Sequence, residues 1–530
     1  MITIFADLTN KLASDVITEA LRRSTTRGMV TVSTSDDTSL IVDGGVFVFV
    51  SPDHSRYGQI EKALSLNSKI LIFGSMPTDL ASLCGLSSIG GIPASWLDAA
   101  TCQSARAYEF AESEAVVRWH SHPLATFSPF RSRPFLRFDF ANEWNNLGYG
   151  RIAADGGPWS ISMAVEASQA TVLASAFTST NSEEIPFVTL FETETSSLLW
   201  WNRATGGVDS PEWVVIETFL ACWRHEVLPC VPVVSEIPCG FDGVVTMRLD
   251  CDEDIASARP LFELYRSRGL PFSVAVKTGQ EEGDAHVALL KDIVNAGGAV
   301  LSHSVTHAPE WGGSEEACFL EARTSSDWLE ERLPGVIIRY AVSPFHQNPS
   351  YVPRALRRAG LQGFVGGIIA NDPEMLLARG GTIPGDSSGL ITHSQQCMLH
   401  GDCLLRNEDP LAITKRAFDA ARKAKSMFGY LDHPFSPRYE YGWGSEEKRL
   451  AMHTDFLNYI GNAGRDQSTL WLNEVDALDW ISAKMQLSLR KTERGFEISE
   501  GTAFALERNL EFQVSWRGRN IPLSEIADGE

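Results

Sequence analysis

The chain has 530 residues, more than one ordinary hydrophobic core accommodates, so we expect two to four domains. Its composition, with 44% hydrophobic and 21% charged residues, is that of a globular protein, and the formal net charge of −22 argues against a nucleic-acid partner. No apolar run approaches the roughly 20 residues that a membrane-spanning helix needs, so no membrane span is expected.

The N-terminal residues and the cysteines together favour a cytoplasmic location. The first seven residues contain neither the basic region nor the long apolar run of a secretory signal. The nine cysteines include no CxxC pair, which fits a reduced compartment better than a disulfide-rich secreted protein. The sequence leaves the oligomeric state open.

Residues 1–118 alternate short apolar runs with helical patterns. Strands are predicted at 2–5, 29–32, 46–50 and 69–73, with a helix at 12–23. This alternation indicates a small open α/β domain, a degenerate flavodoxin- or Rossmann-like unit. No GxGxxG motif follows its first strand, so a dinucleotide site is not supported.

Residues 119–238 read as a β-rich accessory domain with a linker. Strands are predicted at 159–163, 170–174 and 187–191, followed by a helix at 211–223. Pro232 and Pro238 indicate a linker before the next unit. At the other end of the chain, residues 484–530 contain short alternating runs that predict a small β appendage.

Residues 239–483 return to a longer strand–helix repeat. Strands are predicted at 243–249, 271–276, 299–302, 336–342, 427–431 and 470–472, and helices at 255–268, 285–295 and 450–460. Units of this length predict a deformed (β/α) barrel, so the whole chain is assigned to the α/β class.

Candidate catalytic side chains follow three strands of this barrel: Asp250 and Asp252, His303 and His307, and His433. The C-terminal ends of barrel strands share one face, which is where barrel enzymes carry their chemistry. Two imidazoles and one carboxylate bind a divalent metal and leave coordination positions open. Hydrolysis at such a site also needs a base and an acid, for which the second carboxylate and His433 are available.

The same residues form three short motifs in a fixed order. They are Asp250-Cys-Asp252, His303-Ser-Val-Thr-His307 and Leu431-Asp-His433. With these motifs, residues 242–483 resemble the polysaccharide deacetylases of the NodB-homology type, carbohydrate esterase family 4. The resemblance covers a little under half of the chain.

The resemblance implies a role for each motif residue. Asp250 would be the base, and His433 the acid. Asp252, His303 and His307 would bind Zn²⁺ or another divalent transition metal. The implied activity is removal of an acetyl group from an N-acetylated sugar, in a polysaccharide or glycan precursor of surface polysaccharide or lipopolysaccharide biosynthesis.

The third motif of that family is altered here. Its usual Arg-x-Pro becomes Val-Ser-Pro344, and the missing arginine normally orients the catalytic carboxylate. Arg339, Arg248 and His346 are all candidates to replace it, and the sequence does not choose among them.

The first motif has a second possible register, Asp252 with Asp254. We prefer Asp250 with Asp252, because Asp250 directly follows the apolar strand. Glu253 and Asp254 are adequately explained as negative charges at a helix N-terminus.

Several residues near the site-bearing loops are candidate substrate contacts, although ordinary packing at the barrel rim explains them equally well. They are Pro344, Phe345, Trp311 and Tyr441. His393 and His400 flank a loop and could also line the cleft.

Two other functions remain open from sequence. One is a metal-dependent amidohydrolase that acts on a non-sugar amide, which the altered third motif allows. The other is a catalytically silent protein that binds or assembles glycans, which the lost arginine and the additional domains would suit.

Overall fold

The computed structural model describes residues 1–6, 10–92, 115–126, 132–134, 157–178, 181–210, 212–279, 283–366, 379–393, 396–436, 439–463, 468–492, 495–500 and 509–527. They form an α/β protein that contains two large sheets. No helix among these residues is long and apolar enough to span a membrane.

The first large sheet is built by the N-terminal part of the chain. The strands of this part are β1 (Ile2–Phe5), β2 (Val30–Ser33), β3 (Val46–Val50), β4 (Ser68–Phe73), β5 (Leu86–Gly90), β6 (Ala115–Trp119), β7 (Ser132–Pro134), β8 (Ala164–Ala167), β9 (Thr171–Thr178), β10 (Asn181–Glu192) and β11 (Ser196–Trp201). Nine of them pair in the order β2-β1-β3-β4-β11-β10-β9-β6-β7, while β5 pairs with β8.

Both faces of the parallel part of this sheet are covered. Every residue of β3 and β4 is buried, as expected when helices pack on both faces. The helices of this region are Lys11–Ser24, Tyr57–Leu64, Thr78–Leu83 and Trp213–Ala221. Because β11 pairs in parallel with β4, strands from both sides of residue 118 share one sheet. The strand predicted at 159–163 lies instead at β8, Ala164–Ala167.

The second large sheet curls into an open barrel. Its strands are β13 (Phe241–Cys251), β14 (Ser273–Val276), β15 (Ala299–Ser302), β16 (Tyr340–Val342), β17 (Gly363–Val365), β18 (Gly381–Thr382), β19 (Ile391–His393), β20 (Gln396–Met398), β21 (Phe428–Asp432) and β22 (Ser468–Leu472). The order is β18-β19-β17-β16-β15-β14-β13-β21-β20, with β22 also on β13. Among the described residues the sheet therefore ends at β18 and β20 without closing.

Side chains alternate between the two faces of the barrel sheet. Val274, Val300 and Phe364 point outward into a core that the barrel helices share. Leu301 and Val342 alternate with them and belong to the other large core cluster, which also contains Trp480. The helices of this region are Arg259–Ser267, Asp284–Asn295, Glu315–Arg332, Val352–Arg358, Ala412–Lys423, Glu446–Ala463 and Glu474–Gln486.

The C-terminal tail returns to the segment that joins the two large sheets. That segment is β12 (Val233–Pro238), and the tail contains β23 (Ser488–Thr492), β24 (Gly495–Glu500), β25 (Phe512–Trp516), β26 (Arg519–Pro522) and the helix Leu523–Ala527. β25 pairs with both β12 and β26, and β23 pairs with β24. The tail is thus partly β-structured, and its strand β25 pairs with β12.

Candidate metal and catalytic site

The barrel brings the predicted site residues to one end of its sheet. Asp250 is the second-last residue of strand β13, and Asp252 comes directly after that strand. His303 follows β15, and His433 follows β21. β13 pairs in parallel with β14 and β21, and β14 pairs in parallel with β15. Since the carboxyl ends of parallel strands meet at one edge, these side chains face a common cleft.

Asp252, His303 and His307 converge on one point. The Asp252 Oδ1 atom lies 3.2 Å from His303 Nε2 and 3.5 Å from His307 Nε2. One ligand atom of each residue lies within 4.8 Å of the other two. The Asp252 Oδ1 atom is buried and has no hydrogen-bond partner of acceptable geometry, although both nitrogens are close.

The hydrogen bonding of His303 explains why this convergence suits a cation. Its Nδ1 atom lies 2.9 Å from the backbone carbonyl of Val342, which can only accept a hydrogen bond. In the neutral ring the proton is therefore on Nδ1, and the lone pair of Nε2 faces Asp252 Oδ1. Burial lowers the pKa of His303, but Asp252 and Asp250 raise it above the usual value. Burial, followed by the nearby His303, lowers the pKa of His307 to about 4. Two lone pairs facing a carboxylate fit a divalent metal.

The loop that carries His307 is held in an uncommon conformation. Ser304 and His307 have φ of 65° and 57°, in the left-handed region. The Ser304 Oγ atom accepts a hydrogen bond from the His307 backbone N–H at 2.9 Å. The carboxylate of Glu321, from helix Glu315–Arg332, accepts the backbone N–H groups of Val305 and Thr306 at 2.8 Å each. A strained backbone that several hydrogen bonds hold in place is typical of functional sites.

Of the three candidates for the missing arginine, Arg248 is the one that pairs with Asp250. Its Nε and Nη2 atoms donate to the two carboxylate oxygens of Asp250 at 2.7 and 3.2 Å. Both side chains are buried, and they share a face because they lie two residues apart on one strand. Burial alone would raise the pKa of Asp250, but Arg248 and His303 lower it to about 2.

The other two candidates for this role do not fill it. Arg339 donates to both carboxylate oxygens of Asp479, at 2.6 and 2.7 Å. His346 is buried, and burial followed by the Arg248 charge lowers the pKa of its ring to about 3, so it carries no charge with which to pair. The sequence left this choice open, and the geometry favours Arg248.

His433 lies near the second carboxylate oxygen of Asp252. Its Nε2 atom lies 3.4 Å from Asp252 Oδ2. Its Nδ1 atom lies 2.8 Å from Nε2 of His400. Burial would lower the pKa of His433, but the contact with Asp252 raises it above the usual value. His433 therefore lies beside the converging group, and His400 contacts its other ring nitrogen.

Asp432, between Leu431 and His433, points away from the cleft into a buried network. Its carboxylate accepts hydrogen bonds from the His433 backbone N–H at 2.8 Å and from Trp443 Nε1 at 3.2 Å. Arg449 Nε at 2.6 Å and His453 Nε2 at 3.0 Å contact the other oxygen. These four partners fix the end of β21, from which His433 projects.

Asp254 lies outside the converging group. Its Oδ1 atom accepts the backbone N–H of Ala256 at 3.0 Å and contacts His286 Nε2 at 2.8 Å. It therefore caps the short helix that follows, as expected for an acidic residue at that position. Asp252, and not Asp254, is thus the second acidic residue of the motif that lies beside His303 and His307, as the register of Asp250 with Asp252 predicts.

The four candidate substrate contacts differ in what they expose. Phe345 is 50% exposed, and its ring centroid lies 4.5 Å from that of His307. Tyr441 stacks on His433 with centroids 4.4 Å apart. Pro344 is buried. Trp311 is 0% exposed and belongs to the hydrophobic core under the barrel helices, so its ring offers no face to a ligand and we withdraw it from this set.

No protein-family model and no curated protein matched the chain. Among solved structures, it is similar to Agd3, described as a novel carbohydrate deacetylase (10% identity, covering 94% of this chain and 91% of that one, TM-score 0.38). It is also similar to a family 4 acetyl xylan esterase from Clostridium thermocellum in complex with a cobalt ion (13%, 44% and 90%, TM-score 0.29). A third is a family 4 carbohydrate esterase from Streptomyces lividans in complex with acetate (14%, 44% and 93%, TM-score 0.28). Similarity at this level does not assign an activity to this chain.

Proposed function

We propose that the chain is a metal-dependent deacetylase that hydrolyses the acetamide of an N-acetylated sugar in a polysaccharide or glycan precursor. The observation that carries this proposal is the convergence of Asp252, His303 and His307, with Asp250 and His433 beside them at one end of the barrel.

Asp252, His303 and His307 would hold a divalent ion such as Zn²⁺, since two neutral imidazoles and a carboxylate are a common zinc ligand set. When bound, such an ion polarises a carbonyl oxygen and lowers the pKa of water toward ~7. The unsatisfied Asp252 Oδ1 atom supports this assignment, because a buried carboxylate oxygen without a partner is costly unless a cation compensates it.

The proton transfers then fall to Asp250 and His433. Asp250, kept ionised by Arg248, accepts a proton from the water that attacks the acetyl carbonyl. His433 donates a proton from Nε2 to the sugar nitrogen as the C–N bond breaks. The bond from the water oxygen to the acetyl carbon forms and the C–N bond breaks, which gives the free amine and acetic acid, and the latter ionises to acetate. The proton held by Asp250 is released to solvent and His433 takes one up, so both groups return to their starting states.

One exposed and one half-buried aromatic side chain beside the site support a sugar as the substrate. Phe345 borders His307, and Tyr441 stacks on His433, so aromatic rings flank the reacting groups on two sides. Aromatic faces pack well against the apolar faces of sugar rings. A non-sugar amide as substrate, and glycan binding without catalysis, are the two alternatives to be separated by experiment.

Acetate release from an N-acetylglucosamine hexamer and from a panel of simple acetamides tests the proposal. Asp250→Asn should lower kcat by about 10²–10⁴-fold, because it removes the base. Asp254→Asn is the matched control, since Asp254 is an acidic residue four positions away that caps a helix. Turnover of simple acetamides alone would favour the amidohydrolase. Glycan binding that persists without metal, with no acetate released, would favour the silent binding protein.

A further inference from the structure

The Nδ1 atom of His433, the ring nitrogen that does not face Asp252, contacts another imidazole. His433 Nδ1 lies 2.8 Å from His400 Nε2. Both oxygens of the adjacent Asp432 are contacted by other groups, namely Trp443, Arg449, His453 and the His433 backbone N–H. The His400 Nε2 atom lies 3.8 Å from Asp432 Oδ1, beyond hydrogen-bond distance. Resting on the function proposed above, we propose that His400 is a positioning residue that accepts a hydrogen bond from the Nδ1–H group of His433, so that the imidazolium form of His433 gives its Nε2 proton to the leaving group and keeps the proton on Nδ1.

Strand register places the two histidines side by side. β20 pairs in parallel with β21, with Met398 opposite Leu431, and the Leu399 backbone N–H donates to the Leu431 carbonyl at 2.8 Å. His400 and His433 each lie two residues beyond the paired positions, so both leave the sheet at one level. Their contact therefore follows from the backbone pairing rather than from a chance rotamer.

A tight turn holds the His400 ring against its neighbours. The Gly401 backbone N–H donates to the Tyr441 carbonyl at 3.0 Å. A Cβ atom on Gly401 would lie 2.1 Å from the backbone of Gly442, so a residue with a side chain cannot take this position without displacing the turn. The Tyr441 ring stacks on His433 and lies 5.2 Å from His400, which packs the three rings together.

The direction of the hydrogen bond follows from what an acid requires. To donate from Nε2 and remain a neutral ring afterwards, His433 must keep its other proton on Nδ1, and His400 Nε2 must accept it. His400 can do so, since burial, followed by the neighbouring His433, lowers the pKa of the His400 ring to about 3 and keeps it neutral. In the reverse hydrogen bond, Nδ1 of His433 would be an unprotonated acceptor, and the imidazolium that serves as the acid could not form.

The leaving group distinguishes positioning from a merely structural role. An amine must be protonated to leave, whereas 4-nitrophenolate leaves without help. His400→Ala should therefore lower kcat on the N-acetylglucosamine hexamer by about 10–100-fold and on 4-nitrophenyl acetate by less than about threefold. His400→Gln, which restores an acceptor, should recover part of the loss. His393→Gln, which replaces another buried histidine of the barrel, is the control and should change the two activities alike. Equal losses on both substrates in His400→Ala, or no loss, would overturn the proposal.

Nitrogen-15 NMR of labelled histidine reports which ring nitrogen of His433 carries the proton, and so tests the same inference without an activity assay. The wild type should show His433 protonated on Nδ1, identified by the signal that disappears in His433→Asn. His400→Ala should shift that ring toward the Nε2–H tautomer, which a free imidazole prefers. A wild-type His433 whose neutral ring is protonated on Nε2 instead of Nδ1 would contradict the proposal. Absence of activity in the wild type on both substrates would instead count against the deacetylase function, and the tautomer would still decide the role of His400.

Discussion

Replacing Arg248 with glutamine tests whether this arginine orients the catalytic carboxylate. Arg248 and Asp250 form a two-point ion pair with side chains that are 0% and 3% exposed. The matched control is Arg339→Gln, because Arg339 also holds a carboxylate at two points but lies 33% exposed and away from Asp250. The two variants thus remove the same chemical group from a buried and from a partly exposed pair.

The expected sizes follow from burial. Removing one partner of a buried ion pair costs about 3–5 kcal/mol, because the remaining charge is left unpaired, whereas a solvent-exposed pair contributes about 0–1 kcal/mol. A carboxylate displaced by about 1 Å costs roughly 10²-fold in rate. We therefore expect Arg248→Gln to lower kcat/KM about 100-fold and the thermal midpoint clearly, and Arg339→Gln to change both little.

Deacetylation of the N-acetylglucosamine hexamer, thermal unfolding and metal content of the purified variants form the assay. Metal content should be equal in both variants, since Arg248 pairs with Asp250 and Arg339 with Asp479, neither of which belongs to the proposed metal ligands. Equal activity loss in the two variants, or near-wild-type activity in Arg248→Gln, would refute the argument that Arg248 replaces the missing arginine of the third motif.

Three further predictions concern the site rim, the helix cap and a buried lysine. Asp254→Ala should lose about 1 kcal/mol of stability but keep its metal and activity, and loss of metal by elemental analysis would restore the alternative register. Phe345→Ala should raise KM for the hexamer with little change in kcat, and an unchanged KM would remove this ring from the substrate contacts. Burial lowers the pKa of Lys484 to about 8, below the 10.5 of the unfolded chain. The unfolded state therefore binds more protons between pH 8 and 10.5, and stability rises with pH there. Wild type should gain up to about 3 kcal/mol relative to Lys484→Met across that window, and parallel unfolding curves for the two proteins would contradict this.

The strands that carry chemistry could be predicted because each is a short apolar run that ends in polar residues. Asp250, His303 and His433 stand at or just beyond such ends, so the barrel rule alone placed them together. The role of Arg248 was also within reach. Residues two apart on a strand share a face, which puts its guanidinium beside Asp250.

Other features depend on contacts that local patterns do not contain. His400 meets His433 only through the pairing of β20 with β21, across 33 positions of sequence. Trp311 looked like a rim residue because it follows a site loop, but burial depends on what packs above it. Helix Glu315–Arg332 was not predicted, because its buried residues are small or sparse and its sequence is rich in charge. The joining of β4 to β11 spans more than a hundred residues and unites segments that looked like separate domains.

Metal stoichiometry tests the central claim most directly. Elemental analysis of the wild type, after reconstitution with Zn²⁺, should give about one divalent ion per chain, and the His303→Ala/His307→Ala double variant should give none while remaining folded. Asp254→Ala, measured in parallel, should bind metal like the wild type. A wild type that binds no metal after reconstitution, or a double variant that binds as much as the wild type, would contradict the metal site and with it the proposed hydrolysis.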